Sequence, residues 1–325
     1  MIEKIIIKNN LKGGFVMEYK NFGELIEKAK NIPERRRGVV ASAEDDHVLE
    51  AVFEAEKRGI ATPVLVGDAK VIAAKVKALG FDPSKCRIID VSGGENPAQR
   101  AVEIINSGEA DFLIKGRLDT KDLLKPVVDK KNNLHIDRPG VKGLMSHLTI
   151  FQIPGWHKLI VITDGGMVMY PDAEMKKGII VNAVETMRSM GYETPKVGVL
   201  CAVEKFNEKM AETVDAAALA EANRRGEIAN CVVEGPISYD VAMSAEIAAI
   251  KGYKSPNCGN FDILIVPNLT AGNLLGKSLT ISAHAEMAGI VVGAKIPIVL
   301  TSRGSSAAEK FNSIALCAVT SSRRG

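Results

Sequence analysis

The 325-residue sequence lacks several signatures that would assign a chemistry at once. Its five cysteines (Cys86, Cys201, Cys231, Cys258 and Cys317) show no C-x-x-C spacing, which argues against thiolate zinc sites and dithiol redox motifs. An odd number of scattered cysteines without a secretory leader points to reduced thiols and a cytoplasmic location. His47, His135, His147, His157 and His284 form neither H-x-x-x-H nor H-x-x-E-H, so no metal is expected. No G-x-G-x-x-G follows a strand pattern, and Gly93-Gly94-Glu95 reads as a turn rather than a dinucleotide loop. Aromatic residues make up only 5%, do not alternate with basic ones, and accompany a net charge of only +3, which argues against nucleic acid. Apolar runs are short and interrupted, leaving no candidate membrane span. Internal repeats and low-complexity tracts are absent as well.

What is present is a regular rhythm. With 46% hydrophobic and 25% charged residues, the chain is long enough for two globular domains. Short β-branched runs, among them Gly38–Ala43, Pro63–Gly67, Arg87–Val91, Asp111–Lys115, Leu148–Ile153, Leu159–Thr163, Lys196–Ala202, Cys231–Pro236, Ile263–Pro267 and Ile298–Thr301, predict strands. Between them Asp46–Arg58, Pro97–Ser107, Met175–Met190, Val214–Arg225 and Val241–Lys251 predict helices, several closed by glycine. This alternation predicts an α/β protein with mainly parallel sheets. Domain changes are expected near Lys142–Ser146 and Ala283–Gly289, giving a first domain of 17–145 plus 290–325 and an inserted second domain of 146–289. Residues 1–16 differ in character from the rest, and Met17 reads as the natural start behind a non-native or disordered extension.

The most informative stretch runs from Ala288 to Phe311. The apolar residues Ile298, Val299 and Leu300 lead into Thr301-Ser302-Arg303-Gly304-Ser305-Ser306, and a helical pattern follows. Unpaired backbone N–H groups at a helix start attract anions. Arg303 adds a planar fork suited to a carbonyl, carboxylate or phosphate. Ser305 or Ser306 is placed to cap the helix. Lys115-Gly116 at a strand end is a further candidate for phosphate, and Asn268 and Asn273, flanking Gly272 after another strand, are candidates to line a cleft. Cys317 falls within the final helix, where a nucleophile would lack a base partner.

Taken together, Asp262–Asn273, Ala288–Pro297, Leu300–Arg303, Asn312–Leu316, Val203–Met210, Glu234–Ile237, Leu144–His147 and Lys115-Gly116 followed by Asp119-Thr120 resemble the phosphate acetyltransferase/phosphate butyryltransferase family, the butyryl-type branch more closely. The resemblance covers about Gly38 to Ala318 and implies the reaction acyl-CoA + phosphate ⇌ acyl phosphate + CoA on short-chain acyl groups, butyryl or acetyl. It implies a two-domain isocitrate/isopropylmalate dehydrogenase-like fold, a homodimer or higher homo-oligomer with dimerisation through the second domain, 146–289, and coenzyme A as substrate and product with no permanently bound cofactor. On the family's motif Ser302 hydrogen-bonds the CoA sulfur and Arg303 holds the thioester carbonyl, with Gly304 and Ser305 beside them. Glu309, seven residues after the serine, takes the place of an aspartate base, and Lys125 that of an arginine at the phosphate. The chain departs from the family's S-R-A-D-S in reading Ser302-Arg303-Gly304-Ser305-Ser306, so one acidic group is missing. A protein of the same fold that binds CoA or an acyl phosphate without turnover is the alternative.

Phosphate is already an anionic nucleophile near neutral pH, so no covalent acyl-enzyme is required. What needs help is the charge growing on the carbonyl oxygen, where one preorganised donor is worth roughly 3 kcal/mol. A glutamate base is harder to match, because a free carboxyl lies about four pK units below a thiol.

Overall fold

The computed structural model describes residues 18–136, 138, 143–302 and 304–322. The extension expected at 1–16 and the candidate Arg303 lie outside the described residues. Among the described residues, eleven strands form one continuous sheet. They are β1 (Arg36–Ala41), β2 (Ala61–Gly67), β3 (Arg87–Asp90), β4 (Phe112–Lys115), β5 (Ser146–Gln152) and β6 (Ile160–Thr163), followed by β7 (Lys196–Leu200), β8 (Val232–Ile237), β9 (Ile263–Ile265), β10 (Glu286–Val292) and β11 (Ile298–Val299). The helices are α1 (Phe22–Lys30), α2 (Asp46–Lys57), α3 (Ala69–Ala78), α4 (Pro97–Asn106), α5 (Thr120–Val128) and α6 (Ala173–Met190). They continue with α7 (Ala211–Arg224), α8 (Tyr239–Met243), α9 (Ala245–Ile250), α10 (Leu269–Ser282) and α11 (Ala307–Thr320).

The strand order is β3-β2-β1-β4-β11-β10-β5-β6-β9-β7-β8. Pairing is parallel except at β5–β6, β5–β10 and β10–β11, as the alternation of strands and helices predicts. Helices cover both faces, so the central strands read as unbroken apolar runs: β6 and β9 are buried at every position, and β4 at all but Lys115. Short polar side chains start the helices. Asp45, Asp68, Asn96, Asp172, Asn268 and Ser306 each accept a backbone N–H from the first turn of the helix they precede. The glycines expected to end helices at 59, 108, 191, 226 and 252 all have positive φ, which a side chain would strain.

One apolar core joins the two ends of the sheet. It holds Leu49, Val52 and Phe112 from the first strands and helices, Ile150, Val161 and Ile180 from the later ones, and Ile314 to Ala318 of α11 between them. α11 is therefore an interior helix, and its cysteine, Cys317, is wholly buried.

Two sequence expectations are corrected. The helix predicted over Val241–Lys251 is two short helices, because Ser244 adopts an extended backbone (φ −140°, ψ 116°) and uses its hydroxyl to cap α9 at Ile247. The predicted strand set lacks β10, which begins within Ala283–Gly289 and runs to Val292. Gly289 looks like a break in sequence, yet it lies mid-strand where His147 and the Leu300 carbonyl press close.

The start of β6 is fixed by a buried charge pair. Lys158, 1% exposed, donates to Asp262 Oδ1 at 2.6 Å, to the Asn260 carbonyl at 3.0 Å and to Glu18 at 3.2 Å. The other oxygen of Asp262 accepts the Lys196 N–H, tying β7 to the same point. Lys158→Met leaves Asp262 buried and uncompensated and is expected to cost about 3 kcal/mol. Urea unfolding checks this; an unchanged midpoint would show that the pair is dispensable.

Candidate functional site

β1, β4 and β11 are parallel neighbours, so their carboxyl ends emerge together. The chain leaves β1 toward β2 on one side, while β4 lies on the other, which makes this the topological switch point where ligands of open α/β sheets bind. The strand ends are drawn tight here. Gly116 N–H donates to the Ala41 carbonyl and Arg117 N–H to Ser42, and an added Cβ at Gly116 would overlap the Ser42 carbonyl oxygen. Only glycine fits that position.

A cavity of about 680 Å³ opens over these ends. It is lined by Glu44 to His47, Lys75, Lys115 to Asp119, Thr301, Ser302 and Lys310. Three of its acids have structural partners: Glu44 accepts the Asp68 N–H at 2.6 Å, Asp45 caps α2 at Val48, and Asp46 pairs with Lys75 at 2.7 Å. Arg117 is exposed, and no carboxylate among the described residues pairs with it.

Ser302 lies at the exposed end of the β11 strand run. Its carbonyl accepts the Ser305 N–H at 3.1 Å, and its hydroxyl accepts from Gly304 at a long 3.4 Å. Ser306 is the N-cap of α11, in a capping box with Glu309, whose carboxylate takes the Ser306 N–H. The next residue, Lys310, turns the other way. It is 6% exposed, with Nζ 3.2 Å from Thr301 Oγ1 and 3.5 Å from the Ser302 carbonyl. Burial pushes this amine below the ordinary lysine value, while Asp45 and Glu309 partly oppose the shift.

Of the residues singled out from sequence, Lys115, Gly116 and Ser302 line the cavity; Gly304 and Ser305 form the turn behind Ser302. Glu309 sits in the capping box and does not line it. Lys125 is exposed on α5, apart from the cavity wall. Asn268, Gly272 and Asn273 gather elsewhere, at the end of β6. There an added Cβ on Gly272 would lie 2.7 Å from Gly165 Cα, and Asn273 reaches the Gly165 carbonyl at 3.4 Å. Lys310, Arg117 and the Glu44–Asp46 run went unnoticed in the sequence. Only Lys310 carried a signal: in the sequence it stands in line with the apolar Ile314 and Cys317, spaced i, i+4, i+7 along α11.

His147 links the two clusters. Its ring contacts the Leu300 carbonyl through Nε2 at 3.2 Å and the Thr149 hydroxyl through Nδ1 at 3.3 Å, with Gly166 and Gly289 packed against it. Asp164 holds the adjoining turn by accepting four backbone N–H groups, from His147, Gly166, Met167 and Val168. Among the described residues no group of three or more His, Cys, Asp or Glu side chains is placed to hold a metal ion, and no helix is long and apolar enough to cross a membrane. Burial drives the Cys317 thiol far above its ordinary value, which removes it as a nucleophile.

Comparison with known proteins converges. A sequence profile described as Phosphate acetyl/butaryl transferase matches residues 22–97 and 94–318. A phosphate butyryltransferase of Clostridium beijerinckii is 39% identical over 304 residues, 94% of this chain and 99% of its own. A phosphate acetyltransferase of Thermotoga maritima is 39% identical over 91% of this chain and 98% of its own. Among solved structures, a branched-chain phosphotransacylase from Enterococcus faecalis V583 has a TM-score of 0.75 at 30% identity, covering 88% of this chain and 98% of that one. A 4-hydroxythreonine-4-phosphate dehydrogenase from Burkholderia phymatum, at 15% identity and TM-score 0.52 over 90% of this chain and 100% of that one, shares the dehydrogenase-type fold alone.

The His147 environment gives a stability test with a defined sign. Burial, the largest cause, lowers the folded pKa below the ordinary 6.5, against smaller opposing effects of Asp164 and the Leu300 carbonyl. Between the folded value and 6.5 the unfolded chain binds the extra proton, so this contribution is full above about pH 6.5 and is lost as pH falls below it. The melting temperature of the wild type is expected to drop more steeply from about pH 7.5 to about pH 5.5 than that of His147→Asn. Parallel slopes would show that His147 does not titrate with unfolding.

Proposed function

The chain belongs to the phosphate acetyl/butyryltransferase family and is a phosphate acyltransferase, and from that premise we propose that acyl-CoA and phosphate react directly in the cavity beside Ser302. The observation that carries this reading is the position of that cavity, at the switch point of the sheet, with Ser302 just beyond the end of β11 and cationic Lys115 and Arg117 lining the same cavity from the end of neighbouring β4.

In this reading a phosphate oxygen attacks the thioester carbonyl carbon. The C–S bond then breaks, CoA leaves as a thiolate that takes up a proton, and the acyl phosphate remains. Ser302 donates its hydroxyl hydrogen to the departing sulfur. Arg303, next in sequence, is assigned to the carbonyl oxygen, whose growing negative charge is the main electrostatic demand of the step. The acyl group is short-chain, butyryl or acetyl. Lys115 and Gly116 belong to the phosphate side; for Asn268, Gly272 and Asn273 the supported role is shaping the turn at Asp164–Gly166. The division into 17–145 plus 290–325 and 146–289, and a cytoplasmic location alongside soluble CoA esters, are parts of the same proposal.

The proposed assembly is a homodimer built on α10. This apolar helix buries only Gly272 and Leu279, leaving Leu274 62% and Ile281 76% exposed one heptad apart, with Met169 and Tyr170 exposed beside its start. A face of that kind calls for a partner, and a second copy covers it symmetrically.

Phosphate-dependent CoA release, measured with acetyl-, propionyl-, butyryl- and branched acyl-CoA, tests the reaction; turnover is expected with at least one short-chain ester, and none with any would sink the proposal. Ser302→Ala is expected to lower kcat roughly 100-fold. Unimpaired turnover in that variant would take Ser302 out of the mechanism. Leu274→Asp with Ile281→Asp is expected to halve the mass seen by light scattering, and an unchanged mass would reject α10 as the interface.

A further inference from the structure

Lysine rarely tolerates full burial without an acid beside it. Among the described residues four lysines are nine-tenths or more buried: Lys158, Lys176, Lys177 and Lys310. Three have a carboxylate at ion-pair distance, Asp262 at 2.6 Å, Asp215 at 2.6 Å and Glu227 at 3.0 Å. Lys310 has none at that distance among the described residues: its hydrogen-bond partners are a hydroxyl and a carbonyl, and Asp45 and Glu309 act on it only from farther away. It also sits in the first turn of α11, where the helix dipole is positive and disfavours a cation. Unlike the other three, it lines the cavity.

We propose that the Lys310 ammonium receives the inorganic phosphate nucleophile, and in the reverse direction the phosphoryl group of the acyl phosphate, beside Ser302. This rests on the phosphate acyltransferase reading and adds a substrate-binding residue to it. The ammonium has three hydrogens. One meets Thr301 Oγ1, a second meets the Ser302 carbonyl at a long 3.5 Å, and the third remains for an anion. A phosphate dianion there compensates the buried charge and also lies before the N-terminal end of α11. Because Lys310 touches the Ser302 carbonyl, the bound phosphate is held within one side chain's reach of the group assigned to the CoA sulfur.

Lys310→Met keeps the length of the side chain and removes the charge. The KM for phosphate is expected to rise at least about tenfold, the loss typical of a charge-assisted hydrogen bond, while the KM for acyl-CoA changes less than about twofold. In phosphate-free buffer the variant is expected to melt at or above the wild-type temperature, because an uncompensated buried charge has gone. Inorganic phosphate is expected to raise the wild-type melting temperature and to leave the variant unmoved. An unchanged phosphate KM with a lower kcat, or a phosphate-induced rise retained in the variant, overturns the proposal and makes Lys310 a brace for the Thr301–Ser302 turn. If the variant does not fold, the wild type decides: inorganic phosphate is expected to slow reductive methylation of Lys310, followed by peptide mass, and an unaltered rate overturns it. A wild type that releases no CoA from any ester rejects the acyltransferase reading itself, whereas an active wild type with a phosphate-indifferent variant rejects only the role of Lys310.

Discussion

The site depends on a strand of two residues. β11 pairs parallel with β4 through Ile298–Leu113 and Val299–Ile114, and antiparallel with β10 through Val299–Ile290 and Ile298–Val291. Strand register moves in whole residues, and a slip of one would invert every side chain. Held on both sides, β11 has no such freedom, and the carbonyl of Pro297 and the N–H of Leu300 extend the ladders at its ends. Thr301 and Ser302 are thereby delivered beside Lys115 and Gly116, residues far away in sequence. The close approach that completes the arrangement is made by glycine, at 116 against Ser42 and at 289 against Leu300 and His147.

Charge in the cavity follows from which groups already have structural partners. Its wall carries similar numbers of acids and bases, which in isolation would suggest no preference for an anion. Yet Glu44 and Asp45 accept backbone N–H groups, and Asp46 is joined to Lys75. Such carboxylates fix loops and helix starts. Arg117 and Lys310, by contrast, have no acid at ion-pair distance among the described residues and contribute positive potential to the cavity. The same distinction separates Lys310 from Lys158, Lys176 and Lys177, whose acids make them struts.

Much of this architecture was legible because local signals agreed with the global fold. The apolar runs at Pro63–Gly67, Asp111–Lys115 and Ile263–Pro267 became buried strands, and the helix-closing glycines took the backbone they alone adopt freely. β10 was illegible because Gly289 weakens the strand pattern, and its reason for being there, the ring of His147, comes from a strand about 140 residues earlier. The break at Ser244 was hidden because serine fits a helix interior and an N-cap alike, and only the fold chooses. In the site, Ser302 stood out through its strand-to-helix context. Arg117 and the Glu44–Asp46 run did not, since nothing in a sequence tells a solvated charge from one facing a cavity. Lys310 occupied the middle ground, an ionic residue on an apolar stripe.

That stripe also explains how neighbouring residues serve different ends. Successive side chains on a helix point about 100° apart, so Glu309 and Lys310 face different surroundings despite being adjacent. Glu309 turns back to close the capping box, which by itself accounts for a glutamate three residues after Ser306. Lys310 turns inward to Thr301 and Ser302. Going from acyl-CoA to acyl phosphate, the nucleophile arrives ionised and the leaving thiolate gains charge, so both ends of the step call for cations and hydrogen-bond donors. No proton needs to be removed from the attacking group. In that direction a carboxylate base has little to do, and the proposed role of the Lys310 ammonium beside Ser302 would answer the larger electrostatic demand.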